Sequence, residues 1–236
     1  LKTDENVTLI HLAAVHFDFQ KNYYETNIDG TKNVIDYIEK NKQIKTLVFF
    51  SSVAVYGDSN FGKDEDSIKD ANNDYGKSKL EAEKIILKWF NNNRELRDFK
   101  LIIVRPAVVF GEQNFGNVFN LIQQIKSSFF FNIGNGKNIK SIAYVRNLVD
   151  SVFFAQNNIK NNFFVYNYSD YPQLNILSLT KLISELTGKV KPLNIPLFCI
   201  LPFTLIIDIM EILLKKDLKF NTNRIKKFTS YSYFKS

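Results

Sequence analysis

Tyr75 and Lys79 stand four residues apart in the run Tyr75-Gly76-Lys77-Ser78-Lys79, and on a helix that spacing puts both side chains on one face. It has a chemical use. An ammonium beside a phenol stabilises the phenolate, lowering a tyrosine pKa from about 10 toward the range of a general base. The pair alone decides little, because Tyr and Lys meet this way on many solvated helices. A second group adds to it. Ser51-Ser52-Val53-Ala54-Val55-Tyr56-Gly57 follows an apolar run, which puts Ser52 at the C-terminal end of a buried strand. Ligands of an open parallel sheet bind along that edge. A hydroxyl there can hydrogen-bond the substrate oxygen whose proton the tyrosine removes, or it can simply cap a turn.

Hydrophobic periodicity supplies the elements that must position these groups. The β-branched run Val7-Thr8-Leu9-Ile10-His11-Leu12 predicts a buried strand leading into Ala13-Ala14. Residues 22–41 read as a helix with Tyr23, Ile28, Val34, Ile35 and Ile38 on its apolar face. Lys45-Thr46-Leu47-Val48-Phe49-Phe50 and Leu101-Ile102-Ile103-Val104 are nearly unbroken apolar runs, as strands covered on both faces are. Between them, residues 75–91 repeat apolar positions at helical steps through Ala82, Ile86 and Phe90. Strands alternating with helices predict βαβ units in a doubly wound parallel sheet. After Gly111 the pattern loosens into helices near 118–127, 145–156 and 177–186 and a strand near 163–168. These suggest a smaller C-terminal α/β lobe. The expected division is 1–112 and 113–236, with a soft boundary.

Composition narrows the classes. The chain has 236 residues, of which 45% are hydrophobic and 23% charged, ordinary globular usage that excludes wholesale disorder and collagen-like repeats. One cysteine, Cys199, permits no internal disulfide, predicts a reducing compartment and reads as a small core residue. The net charge is +7. Its basic residues are mostly lysines interleaved with acids, and Arg94, Arg97, Arg105, Arg146 and Arg224 are scattered. No nucleic-acid partner is therefore expected.

Five motifs, in order, carry a resemblance: His11-Leu12-Ala13-Ala14, Asn27-Ile28-Asp29-Gly30-Thr31-Lys32-Asn33-Val34, the run from Phe50 to Gly57, Tyr75-Gly76-Lys77-Ser78-Lys79, and Val104-Arg105-Pro106-Ala107-Val108-Val109-Phe110-Gly111. The chain resembles the extended short-chain dehydrogenase/reductase family, most of all its NAD-dependent, nucleotide-sugar epimerase/dehydratase branch. Gly134-Asn135-Gly136-Lys137-Asn138 and Ala143-Tyr144-Val145-Arg146-Asn147-Leu148-Val149 also look like that branch's substrate lobe. The resemblance implies a Rossmann-like fold binding NAD or NADP and a nucleotide-sugar substrate, in a cytoplasmic enzyme of polysaccharide biosynthesis that is a homodimer when full length. It implies catalysis by Ser52, Tyr75 and Lys79: the tyrosine as acid/base on a sugar hydroxyl, the lysine lowering its pKa, the serine orienting the substrate oxygen. Ala13, Ala14, Asn27, Ser51, Tyr75, Lys79 and Pro106 would line the cofactor, and Ser52, Val53 and Lys140 the substrate. The rival classes are another short-chain reductase or 3β-hydroxy dehydrogenase, and a cofactor-sensing protein without catalysis.

The family's glycine fingerprint, G-x-x-G-x-x-G, is absent, and no glycine precedes Gly30. The expectation is an N-terminally truncated chain whose sheet lacks its first strands and which binds dinucleotide poorly. No metal site is expected: His11 and His16 have no third ligand at metal spacing. Residues 195–214 are strongly apolar, with Thr204, Asp208, Glu211 and Lys215 forming one polar stripe. They read as a helix covering the substrate lobe or, less simply, as an interfacial helix that brings 195–219 to a membrane surface, with Lys215, Lys216 and Lys219 at the headgroups. The tail, 220–236, reads as polar and basic.

Overall fold

The computed structural model describes residues 6–15, 22–57, 62–93, 98–127, 130–214 and 221–235. From the N-terminal side come β1 (Val7–His11), a π-helical turn at Glu25–Asp29, α1 (Gly30–Lys40), β2 (Ile44–Phe50), a 3₁₀ turn at Val53–Tyr56, α2 (Asp74–Asn93) and β3 (Lys100–Pro106). Then follow β4 (Val108–Phe110), α3 (Asn117–Lys126), β5 (Asn132–Ile133), β6 (Ile142–Tyr144), α4 (Val145–Asn158) and β7 (Phe163–Tyr168). The chain continues through α5 (Ile176–Leu186), β8 (Asn194–Ile195), α6 (Leu197–Leu214) and α7 (Thr222–Thr229).

The main sheet is parallel throughout, in the order β1-β2-β3-β7. Successive side chains of a strand point to opposite faces, so the apolar runs of β2 and β3 serve two layers at once. Leu47, Phe49, Leu101 and Ile103 meet Ile35 and Ile38 of α1 and Ile86 and Phe90 of α2. Val48, Ile102 and Val104 meet Leu148, Val152 and Ala155 of α4. A sheet clad by helices on both faces is the doubly wound Rossmann-like arrangement.

The appended lobe holds two short parallel pairs, β4 with β6 and β5 with β8. In it α3 and α5 pack Ile125 against Leu179 and Ile183. The division near residue 112 is not where the main sheet ends. β7 pairs with β3 from Leu101↔Phe163 to Pro106↔Tyr168, and α4 covers one face. Both elements return from beyond the boundary because β3 would otherwise leave an unpaired apolar edge.

One expectation for the C-terminal segments is corrected. Cys199 is exposed rather than a core residue, since it lies on the outward side of α6. The polar and basic tail is tied to the protein. Phe234 is buried against Tyr56, and its strand segment bridges Lys63 and Lys140. Its aromatic and β-bridging residues outweigh its polar average.

Candidate active site

Parallel pairing brings the C-terminal ends of all four strands to one edge, because the register aligns His11 with Phe49 and Phe50 with Val104. Past β2 the chain turns sharply. The Ser52 hydroxyl caps the 3₁₀ turn by accepting the Ala54 N–H at 3.1 Å. The same hydroxyl lies near enough to the Tyr75 phenol to favour the phenolate. The two readings of this serine are thus compatible. Gly76 explains how the partners come so close: a Cβ there would stand 2.4 Å from the Ala54 carbonyl oxygen. The glycine of the Tyr-x-x-x-Lys run lets the first turn of α2 lie on the 3₁₀ turn.

Lys79, one helical turn on, is buried and donates to the Phe50 carbonyl at 2.8 Å. Its ammonium also lies 5.0 Å from the centre of the Phe49 ring. Burial lowers its pKa to about 8, against the opposing pull of Glu83. The expectation that Lys79 depresses Tyr75 is not met in this structure. Burial raises the Tyr75 pKa, with only the Ser52 hydroxyl working the other way. The physical reason is direction: the lysine turns its charge to the backbone at the end of β2. His11 is buried and pushed down to about 4, first by burial and then by Lys79. It is therefore a neutral ring near neutral pH, with Nε2 3.3 Å from Thr31 Oγ1.

Beneath this edge lies a polar network that spacing could not show. Arg105 of β3 grips Glu83 of α2 by two hydrogen bonds of 2.8 Å, both side chains being buried. Its third nitrogen donates to the Tyr56 hydroxyl at 2.6 Å, which donates to Asn167 Oδ1 of β7 at 2.8 Å. Burial opposes the Arg105 charge, but the Glu83 hydrogen bonds and charge prevail and its pKa is raised. One signal was readable: Glu83 falls four residues after Lys79, on the same helix face.

The other expected residues sit as follows. Asn27 is buried and satisfied, accepting from Val15 N–H at 2.8 Å and donating to Val15 O at 3.1 Å and Ser78 Oγ at 2.9 Å. It ties the loop after β1 to α2. Ala13 and Ala14 are exposed in that loop, while Val53 and Pro106 are buried. The Ser51 hydroxyl is buried and makes no hydrogen bond. Lys140 lies in the lobe beside the C-terminal segment, donating to Ser230 Oγ at 3.2 Å and Ser232 Oγ at 3.4 Å. His16 lies outside the described residues. Among the described residues no group of three or more His, Cys, Asp or Glu could hold a metal ion.

The model of the 3-beta hydroxysteroid dehydrogenase/isomerase family matches residues 2–197. The chain is 38% identical over 231 residues to N-acetyl-alpha-D-glucosaminyl-diphospho-ditrans,octacis-undecaprenol 4-epimerase of Escherichia coli O157:H7, covering 96% of this chain and 69% of that relative. It is 27% identical to UDP-glucose 4-epimerase of Yersinia enterocolitica, covering 82% of this chain and 64% of the relative. In fold it is similar to UDP-glucuronic acid 4-epimerase from Bacillus cereus in complex with NAD. That match has a TM-score of 0.69 at 22% identity and covers 80% of this chain and 62% of the other. The chain thus spans about two thirds of the length of these proteins.

Proposed function

The chain belongs to the 3-beta hydroxysteroid dehydrogenase/isomerase family, and from that premise we propose that it is an NAD-dependent 4-epimerase of a sugar carried on a diphosphate. The carrier is a nucleoside, as in the Yersinia and Bacillus proteins' names, or a polyprenol, as in the Escherichia coli relative's. The observation that carries this reading is the packing of the first turn of α2, with Tyr75 and Lys79, onto the Ser52 turn at the sheet edge.

The residues present fit a dinucleotide at that edge. Ser51 has a buried hydroxyl with no partner, and Lys79, an ammonium with three hydrogens, makes one described hydrogen bond. Both are groups that ribose hydroxyls satisfy. Ala13, Ala14, Asn27 and Pro106 would complete the wall, with Val53 and Lys140 on the substrate side. A dinucleotide held there supplies a hydride acceptor and donor for the sugar's C4. Tyr75 takes the proton of the C4 hydroxyl as that carbon is oxidised to a ketone, and returns it when the opposite face is reduced. Ser52 holds the C4 oxygen beside the phenol, and Lys79 favours the phenolate when its ammonium turns toward it. In this division of labour residues 1–112 serve the cofactor and 113–236 the substrate. The same reading makes the enzyme a cytoplasmic homodimer through α1 and α2, which light scattering would test.

The direct test is inversion at C4, followed by NMR with NAD present, on UDP-N-acetylglucosamine and on N-acetylglucosaminyl diphospho-polyprenol in detergent. One of the two is expected to turn over. Tyr75→Phe should lower the rate about 10²- to 10⁴-fold with the fold intact. Undiminished turnover in that variant would overturn the role of Tyr75. Oxidation of a 3β-hydroxysteroid with no sugar inversion would replace the epimerase reading by the family's dehydrogenase chemistry.

A further inference from the structure

Helix α6 is oriented inside out. A helix on a water-exposed surface turns its apolar stripe to the core and its polar side chains to solvent. In α6 the polar stripe Thr204, Asp208 and Glu211 faces the protein instead. The buried Thr204 hydroxyl meets Thr222 Oγ1 at 2.9 Å, and Asp208 Oδ1 accepts the Thr222 N–H at 3.0 Å. The Glu211 carboxylate receives Asn221 Nδ2 at 3.0 and 3.1 Å. These contacts clamp α6 to the start of α7. The opposite face is apolar and open: Phe198 is 74% exposed, Phe203 66% and Leu213 75%, with Ile206, Ile209 and Leu205 exposed between them. A contiguous apolar strip of this kind marks a surface that meets something other than water.

Charge identifies what it meets. From 215 to 227 the sequence holds Lys215, Lys216, Lys219, Arg224, Lys226 and Lys227 against Asp217 alone, with Lys215, Lys216 and Lys219 outside the described residues. An apolar face followed directly by a basic stretch is complementary to an anionic lipid surface, with acyl chains for the one and headgroup phosphates for the other. A two-fold contact between copies would instead bring two basic stretches to one interface. At 18 residues the helix is about 27 Å long. Among the described residues no helix is long and apolar enough to cross a membrane, so the geometry is that of a helix lying in the surface.

We propose that α6 docks this protein on an anionic bilayer, its outward apolar face lying at the acyl boundary and the positive charge that follows it in the sequence favouring anionic headgroups. The inference deepens the function above by placing the site beside the membrane that holds polyprenol-linked sugars, and in that respect it rests on that reading.

The test needs no turnover. Cys199, the sole cysteine, is exposed on this helix, so the unmutated chain can carry an environment-sensitive fluorophore there. The emission should shift to the blue on vesicles of phosphatidylcholine and phosphatidylglycerol, and far less on phosphatidylcholine alone. The unlabelled protein should float with the anionic vesicles. Phe203→Ser/Ile206→Ser/Leu213→Ser, which alters only exposed positions, should lower the bound fraction about tenfold. If that variant fails to fold, judged by circular dichroism, the wild-type label decides. No shift on anionic vesicles overturns the proposal, as does undiminished flotation of a folded triple variant. A wild-type dimer that ignores vesicles and dissociates in the triple variant gives the face to a second copy. Docking without inversion of polyprenol-linked sugar removes the substrate reading and leaves the docking; inversion in detergent without docking does the reverse.

Discussion

Helices α2 and α6 both turn a line of polar side chains into the protein, yet they do opposite things with their outer faces. Along α2, Ser78, Lys79 and Glu83 point inward and are continued by Ala82, Ile86 and Phe90, while Lys77, Lys84 and Lys88 face water. Along α6, Thr204, Asp208 and Glu211 point inward and the outer face is aromatic and aliphatic. Buried polar groups are tolerated in both places because each has partners. The lesson lies in the cost structure. In α2 the polar line includes full charges whose burial is balanced by an ion pair and whose helix is held by a large apolar core. In α6 the polar line makes more superficial contacts, with Asp208 and Glu211 only half-buried and bonded to uncharged partners, and the apolar surface that would ordinarily hold a helix down is left facing out.

Three measurements can break or sharpen that contrast. The largest effect belongs to α2. Glu83→Ala leaves the buried Arg105 guanidinium without its carboxylate and should cost about 3–5 kcal/mol in urea unfolding. A loss under about 1 kcal/mol would mean that water reaches Arg105 and that the network is no interior feature. Next comes the charge of Lys79. Its folded pKa is lowered from 10.5 to about 8, so between those values the folded protein has released a proton that the unfolded chain still holds. Stability should therefore rise as pH increases from about 8 to 10.5. Melting curves of Lys79→Met should lack this rise, and an identical pH dependence in the variant would refute the burial of the ammonium. The smallest change is expected in α6. Thr204→Val removes the hydrogen bond to Thr222 and should cost about 1 kcal/mol. A loss as large as that of Glu83→Ala would erase the difference between the two helices.

Much of the fold was readable from periodicity. The strand runs at 45–50 and 101–104 became the centre of β2 and β3, and the helical repeat at 75–91 became α2, because each apolar run has only one regular way to bury itself on two helix-clad faces. The strand near 163–168 was also visible as β7, but its place beside β3 was not. Strand pairing depends on which edge remains open after the others have paired, and no local window contains that. Spacing and position placed Tyr75 and Lys79 on one helix and Ser52 at the end of a strand, and the structure has them there. The inward charges were only half legible: Glu83 lies on the Lys79 face, but its partner Arg105 comes from another strand and Asn167 from a third. Lys79 shows the same limit. Spacing placed it on the tyrosine's face, while the Phe50 carbonyl that takes its ammonium belongs to the end of β2.

By itself the sequence determined the alternation of strands and helices, the residues at the C-terminal edge of the sheet, and the existence of one polar stripe on 197–214. All three are local or periodic properties, written in neighbouring residues. Only the tertiary structure decided which way that stripe points, that Cys199 stands outside and Phe234 inside, and that burial raises the Tyr75 pKa where lowering by Lys79 was expected. Each of these depends on which surfaces meet and how much water they exclude, and that is a sum over contacts from distant parts of the chain.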